Sequence, residues 1–319
     1  MKDSGTLSIF RLKRKRKIKA GKSLKNEAWY WIFLLPTLIL FVMFQGWPIV
    51  ASLYYATLDW SGLTADSKFV GMENFMSVAK DPYFWNAFKN SFKFMLGTVP
   101  FHLFLALVLA VILHRPGLKA ANIFRTFIFL PVVTTTSIVG IIMVFIWGSD
   151  GAVNEALYRF GLLEQPINWL GDANWSMFTV ILISVWKNLG VNLVYWLAGL
   201  QSIPKDLYEA AEVDGATGIK KFFYITVPLL IPIGTVILLL NVVNSLKAFD
   251  LIKTVTNGGP FFATDVVSTY IYRYAFTSEM GLPQLGYASA AGLFFAAAIC
   301  LIALIQYIVQ KRIKGGNNL

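Results

Sequence analysis

The stretch PKDLYEAAEVDGATGIKKFFYITVPLLIP, residues 204–232, is a short polar interval between two long apolar runs. It sets Lys205, Lys220 and Lys221 among Asp206, Glu209, Glu212 and Asp214. Residues 206–216 read as a short helix, with Asp206 expected at the N-cap and Gly215 or Gly218 supplying the left-handed residue that ends it. At helical spacing Leu207, Ala210 and Ala211 share one face, with Asp214 beside them, while Glu209, Glu212 and Lys205 turn toward the other. Charges at this density cannot enter a bilayer without losing their hydration. The helix therefore lies outside the membrane, either as a solvated connector or as a surface for another protein, and these residues alone leave both open.

The rest of the chain supplies the bilayer. Its 319 residues are 56% hydrophobic and 14% charged, with a mean hydropathy of +0.61, against about 25% charged in an average soluble domain. Six apolar stretches approach the roughly 20 residues needed to span: about 29–57, 88–113, 124–147, 176–199, 227–247 and 286–309. Pro36, Pro48, Pro100 and Pro131 lie in or at the ends of these runs, which is tolerable where neighbouring helices satisfy the freed carbonyls. Ala288, Ser289, Ala290, Ala291 and Gly292 suit the sixth to close helix packing. The fold class expected is all-α: a polytopic membrane protein of six transmembrane helices.

Charge orients it. The net charge of +11 is concentrated at one end, since ten of the 28 Lys+Arg fall in the first 25 residues; it marks a basic tail, not a nucleic-acid partner. With the amino terminus inside, the inner segments hold 19 Lys+Arg and the outer ones 5, so the positive-inside rule predicts an N-in, C-in topology. The organisation expected is a basic cytoplasmic tail at 1–28, a six-span domain at 29–310 with a cytoplasmic loop at about 204–227, and a cytoplasmic tail at 311–319. The basic part is long for a signal peptide and no small-residue cleavage site closes the apolar run. The outer segments around FVGMENF (69–75), DPYFWNAF (81–88) and DGAVNEALYRFG (150–161) look like short amphipathic helices, and TNGGP (256–260) is a turn.

Chemistry concentrates in two spans. Lys187 sits near the middle of the fourth, where a lipid-facing charge costs several kcal/mol, so it should face a watery cavity or a partner. Asn188, Asn192 and Tyr195 accompany it, and the fifth span ends in Asn241, Asn244, Ser245 and Lys247. Amides, hydroxyls and aromatic rings are what a carbohydrate needs, because its hydroxyls hydrogen-bond and its apolar face stacks. Each asparagine could equally be interhelical glue. Other chemistry is missing. Gly21-Lys22-Ser23 has Arg16 where a phosphate-binding loop needs its first glycine. Cys300 in an apolar run is a small hydrophobe. His102 and His114 cannot form a metal cluster, and no acid lies at mid-span for a proton relay. Neither catalytic nor metal residues are expected.

The spacing Glu209-Ala210-Ala211, three residues, Gly215, nine residues, Ile225, then Val227-Pro228, resembles the EAA motif of permease subunits of binding-protein-dependent ABC importers. The flanks GLQSIPKDLYEAAEVDGA (199–216), RTFIFLP (125–131), TNGGP and GYASA (286–290) are similar to sugar permeases of the maltose-transporter type; Trp47-Pro48 departs from a commoner Tyr-Pro. The resemblance implies a type I importer permease fold in which Glu209, Ala210, Ala211, Asp214 and Gly215 form a coupling helix. It implies a second homologous permease subunit, a cytoplasmic ATPase dimer and an extracytoplasmic solute-binding protein as partners, with ATP and Mg on the ATPase and no cofactor on this chain. The substrate implied is an oligosaccharide. Lys187 and Lys247 favour an acidic, uronic-acid-containing one, with a neutral sugar or glycerol phosphate as alternatives and an ATP-independent secondary transporter or a membrane scaffold as competing classes.

Overall fold

The computed structural model describes residues 24–114, 120–277 and 281–316. Most of the basic tail, the end of the carboxy-terminal tail and Arg115 and Lys119 of the second inner segment lie outside the described residues. The chain divides into two compact units, one ending at Ala51 and one from Ser52 onward. The first is helical: α1 (Leu24–Phe41) passes through a wide π turn, Val42–Gly46, into α2 (Trp47–Tyr55). None of the residues from Tyr30 to Ala51 with a described side chain is buried.

The second unit opens with a two-residue ladder, β1 (Leu58–Asp59) against β2 (Lys68–Phe69), a small exception to the all-helical expectation. Then follow α3 (Glu73–Lys80), α4 (Pro82–His114), α5 (Ala121–Val133), α6 (Thr136–Trp147), α7 (Ala152–Arg159), α8 (Ser176–Gln201), α9 (Lys205–Val213), α10 (Gly218–Lys221), a second π turn at Phe222–Thr226, α11 (Val227–Leu246), α12 (Asp250–Val255), α13 (Val267–Phe276) and α14 (Leu285–Gly316). Six helical stretches are long and apolar enough to cross a membrane: Tyr30–Tyr55, Pro82–His114, Thr136–Arg159, Ser176–Gln201, Gly218–Leu246 and Leu285–Lys311.

Two boundaries differ from those read in the sequence. DPYFWNAF is not a separate surface helix but the start of α4. Pro82 opens that helix and the Asp81 carboxylate accepts the Tyr83 N–H at 2.8 Å, a cap that specifies the start locally. The same carboxylate accepts the hydroxyls of Tyr270 (2.5 Å) and Tyr287 (2.9 Å), tying α13 and α14 to it. The expected third span, 124–147, is two helices, broken at Thr134–Thr135 just after Pro131. Both π turns precede a proline, Pro48 and Pro228. A proline ring clashes with the carbonyl four residues back, and the wider turn relieves that clash.

Helix α4 runs through all three apolar cores: one with α11, α13 and α14, one with α8 and α11, one with α6, α8 and α12. In lipid, apolar burial does little to drive helices together, so close approach and polar bridges do more. Thr98 and Ser245 share a hydrogen bond at 3.1 Å between α4 and α11, and Asn241 Nδ2 donates to Asn192 Oδ1 at 2.6 Å between α11 and α8. Asn86 and Asn90 of α4 donate to the Phe262 carbonyl, holding the TNGGP turn, where Asn257 and Gly258 are left-handed. At Gly190 of α8 the backbone of α5 comes so close that a Cβ would lie 2.6 Å from the Ile128 oxygen and 2.9 Å from the Phe129 Cα.

Two measurements check this packing. Gly190→Val forces α5 away from α8 and should destabilise the chain by about 1–3 kcal/mol, seen as a lower thermal midpoint in detergent. Asn192→Leu and Asn241→Leu each strand a buried amide, at about 1–3 kcal/mol apiece, whereas the double variant should lose clearly less than the sum. Strict additivity would show that the amide bridge contributes nothing.

Candidate functional site

A cavity of about 240 Å³ opens among α4, α6, α8, α11 and the segment leading into α12. All eight residues expected along a solute path line it: Lys187, Asn188, Asn192 and Tyr195 from α8, Asn241, Asn244 and Ser245 from α11, and Lys247 just beyond. On α8 the spacing does this directly, since Ser184, Asn188 and Asn192 repeat every four residues, as do Lys187, Val191 and Tyr195, putting two adjacent rows on one wall. Phe249 and Asp250, next along the chain after Lys247, line it too, and His102, Thr136 and Ser184 are cavity residues that the sequence does not single out. His102 was passed over because it has no metal-binding companions, and Thr136 because it lay inside an expected unbroken helix.

The residues divide by what their side chains already hold. Asn188 Nδ2 donates to the Ser184 carbonyl (3.0 Å), Asn192 Nδ2 to the Asn188 carbonyl (3.0 Å), and Asn241 Nδ2 to Asn192 Oδ1 and the Ile237 carbonyl (2.8 Å). With Ser245 on Thr98, these four build the walls. His102 Nε2 lies 3.3 Å from the Ser184 carbonyl, which can only accept, so that nitrogen carries the proton and Nδ1 is left as an acceptor, with the Asn241 side chain as the other polar neighbour of the ring. The side chains of Lys187, Tyr195, Asn244 and Lys247 make no hydrogen bond or ion pair with any described residue. Lys187 does so while only 8% exposed. The charged groups on the lining are Lys187, Lys247 and Asp250, an excess of one positive charge.

Helix α9 stands apart from the cavity, at the other end of α11. It starts at Lys205 after Pro204, so Asp206 sits in its first turn and not at the cap. Gly215, with φ +72°, is the left-handed residue and Gly218 is not. The Ala216 N–H bonds the Ala211 carbonyl (2.8 Å) and the Gly215 N–H the Glu212 carbonyl (3.0 Å), the paired closure of a Schellman turn. The expected face is also corrected. Tyr208 and Ala211 are the half-buried positions, while Leu207, Glu209, Ala210 and Asp214 are exposed, so the two alanines face different ways. The reason is Tyr208, whose hydroxyl shares a 2.8 Å hydrogen bond with buried Thr226 in the π turn before α11. Glu212 pairs with Lys221 across the Gly215 turn at 2.5 Å.

A second cavity, about 290 Å³, lies between α7 and the loop after it, lined by Asp150, Glu155, Tyr158 and Gln165 among others. Asn154 braces that loop through the Ile167 backbone and the Trp169 ring N–H. Among the described residues no group of three or more His, Cys, Asp or Glu is placed to hold a metal.

Known proteins resemble this arrangement closely. The family model for the binding-protein-dependent transport system inner membrane component matches residues 102–315. The lactose transport system permease protein LacF of Rhizobium radiobacter is 31% identical over 286 residues, which cover 89% of this chain and 94% of LacF. The sulfoquinovosyl glycerol transport system permease protein SmoG of Agrobacterium fabrum is 34% identical over 285 residues, 88% of this chain and 90% of SmoG. A chain of a bacterial ABC transporter involved in the import of the acidic polysaccharide alginate superposes with a TM-score of 0.79 at 27% identity, over 92% of this chain and 98% of that one. The match covers the cavity helices, α9 and the last span together, and the chain belongs to the family of binding-protein-dependent transport system inner membrane components, the multi-pass permease subunits of bacterial ABC importers.

Proposed function

We propose that this chain forms one half of the path by which an ATP-driven importer passes an oligosaccharide into the cytoplasm. The observation that carries this is the cavity, where eight polar or aromatic residues of α8, α11 and the position just beyond α11 meet and four of them keep their side chains free for a solute. Amides, a phenol and ammonium groups around a small space suit sugar hydroxyls, and Tyr195 offers a ring face. Lys187 and Lys247 favour an acidic sugar, a reading supported by the likeness to a transporter described as importing the acidic polysaccharide alginate.

The chain supplies no energy. In this reading ATP and Mg are bound by a cytoplasmic ATPase dimer, a second homologous permease completes the pore, and an extracytoplasmic binding protein delivers the sugar. Residues 29–310 form the permease domain between cytoplasmic tails, and the charge distribution supports N-in and C-in. That places α9, in the 204–227 loop, toward the ATPases. Its exposed Glu209, Ala210 and Asp214 form the docking surface. Ala211 supports it from below, and Gly215 allows the turn back toward the membrane. Glu209 makes a charge-assisted contact with a basic ATPase group. The Tyr208–Thr226 bond couples α9 to the start of α11, whose far end bears Asn241, Asn244 and Ser245. A displacement of α9 on ATPase closure then moves one wall of the cavity.

Copurification with the ATPase and uptake in proteoliposomes test this together. Glu209→Lys replaces an attraction by a repulsion and should weaken ATPase association about ten-fold or more, with uptake falling in step. Unchanged association and uptake would remove Glu209 from the docking surface. Gradient-driven uptake by the chain without any ATPase would favour the secondary-transporter reading instead.

A further inference from the structure

The break in the third apolar stretch puts a helix end at the cavity. Thr135, the residue before α6, is extended at φ −60° and ψ 144° and makes no side-chain cap. The first backbone bond into α6 is from the Val139 N–H to the Thr135 carbonyl, 3.1 Å. The N–H groups of Thr136, Ser137 and Ile138 therefore have no partner among the described residues, as at any uncapped helix start. Non-helical backbone at membrane depth persists only where protein or a wet cavity covers it, and Thr136 lines the cavity. The aligned peptide dipoles concentrate about half a positive charge there.

Lys187 lines the same cavity from α8, 92% buried by its 8% exposure, and has no partner among the described residues. Two sources of positive potential, one a backbone terminus and one a side chain, thus line one cavity, and the one carboxylate on the lining is Asp250. His102 adds a polar wall group, whose Nδ1 suits a hydroxyl donor. A neutral sugar ring could satisfy His102 but would leave Lys187 facing only hydroxyl dipoles.

We propose that the amino end of α6 and Lys187 form an anion subsite that takes the carboxylate of an acidic sugar unit, with His102 accepting from a hydroxyl of the same ring. This rests on the permease reading and narrows its substrate to uronate-containing sugars. One carboxylate oxygen meets the α6 N–H groups, as anions do at helix starts, and the ammonium meets the other.

Galacturonate and galactose are matched probes that differ in the charge at one carbon. With the intact transporter, including its ATPases, in detergent, their dissociation constants should favour galacturonate. Lys187→Met should weaken galacturonate about ten-fold or more and galactose little, while Lys187→Arg restores the preference. Ser137→Asp puts a carboxylate in the first turn of α6, a position that favours the helix itself, and should weaken galacturonate about two- to five-fold. Equal affinity for the two probes, or a preference untouched by both Lys187→Met and Ser137→Asp, overturns the subsite. Inorganic phosphate is a third probe; its binding, with displacement by chloride but not by galacturonate, assigns the site to inorganic anions and overturns the sugar. A transporter that takes up oligosaccharides with ATP yet shows no galacturonate preference keeps the permease reading and loses the subsite; one that takes up no oligosaccharide loses the permease reading whatever galacturonate does.

Discussion

A positive charge cannot rest in the apolar middle of a bilayer, and Lys187 is one carried on a spanning helix. Facing lipid it would cost several kcal/mol, so the chain surrounds it. Helices α4, α6 and α11 close around the α8 face that carries it, and they contribute polar groups, His102, Thr136, Asn241 and Ser245, beside the apolar Phe94 and Leu240. The Asn192–Asn241 bridge and the Thr98–Ser245 bond then serve two ends. They hold helices together where apolar burial supplies little drive, and they line the space the lysine requires. Cavity and scaffold follow from the same need to hide a charge without neutralising it.

The opposite end of α11 meets a different demand. Helix α9 is too charged to be buried and too short, at 9 residues, to be stable alone. It is held at its carboxy-terminal end and at its middle. The Schellman closure at Gly215 satisfies its last carbonyls, and the Tyr208–Thr226 bond fastens its middle to the π turn. That π turn exists because Pro228 disrupts regular winding, so the proline that interrupts the span also widens the backbone where α9 is anchored. A stiff connector results, with one exposed and one attached side.

Much of this was legible in the sequence, for identifiable reasons. Spans announce themselves because lipid forces long uninterrupted apolar runs, and the cavity residues because Lys187, Asn192 and Asn241 contradict those runs. Where the sequence misled, a distant or backbone contact decided. The face of α9 depends on Tyr208 finding Thr226 eighteen residues on, which helical periodicity cannot contain. The start of α4 was hidden because DPYFWNAF reads as a short amphipathic helix of its own, while the deciding feature was the Asp81 cap. The break at Thr134–Thr135 gave no apolar signal, since three threonines in a row neither interrupt hydropathy nor exclude helix; Pro131 was the one hint and lies three residues early. His102 was weighed as a metal ligand and not as a hydrogen-bonding wall residue.

The broken third stretch also bears on how the chain enters the membrane. At 1.5 Å per residue, α5 reaches about 20 Å, short of a hydrocarbon core about 30 Å thick, whereas the stretch Thr136–Arg159 that α6 opens is long enough to cross. Helix α5 is therefore not a stable insertion unit by itself, and the non-helical backbone after it resists entry into lipid. Helix α8, which carries the Gly190 seat for α5, is synthesised later. The α5 segment therefore stays at the translocation machinery, or partly hydrated, until the fourth span arrives to pack against it. A permease assembled this way has a half-length helix seated only by a later partner.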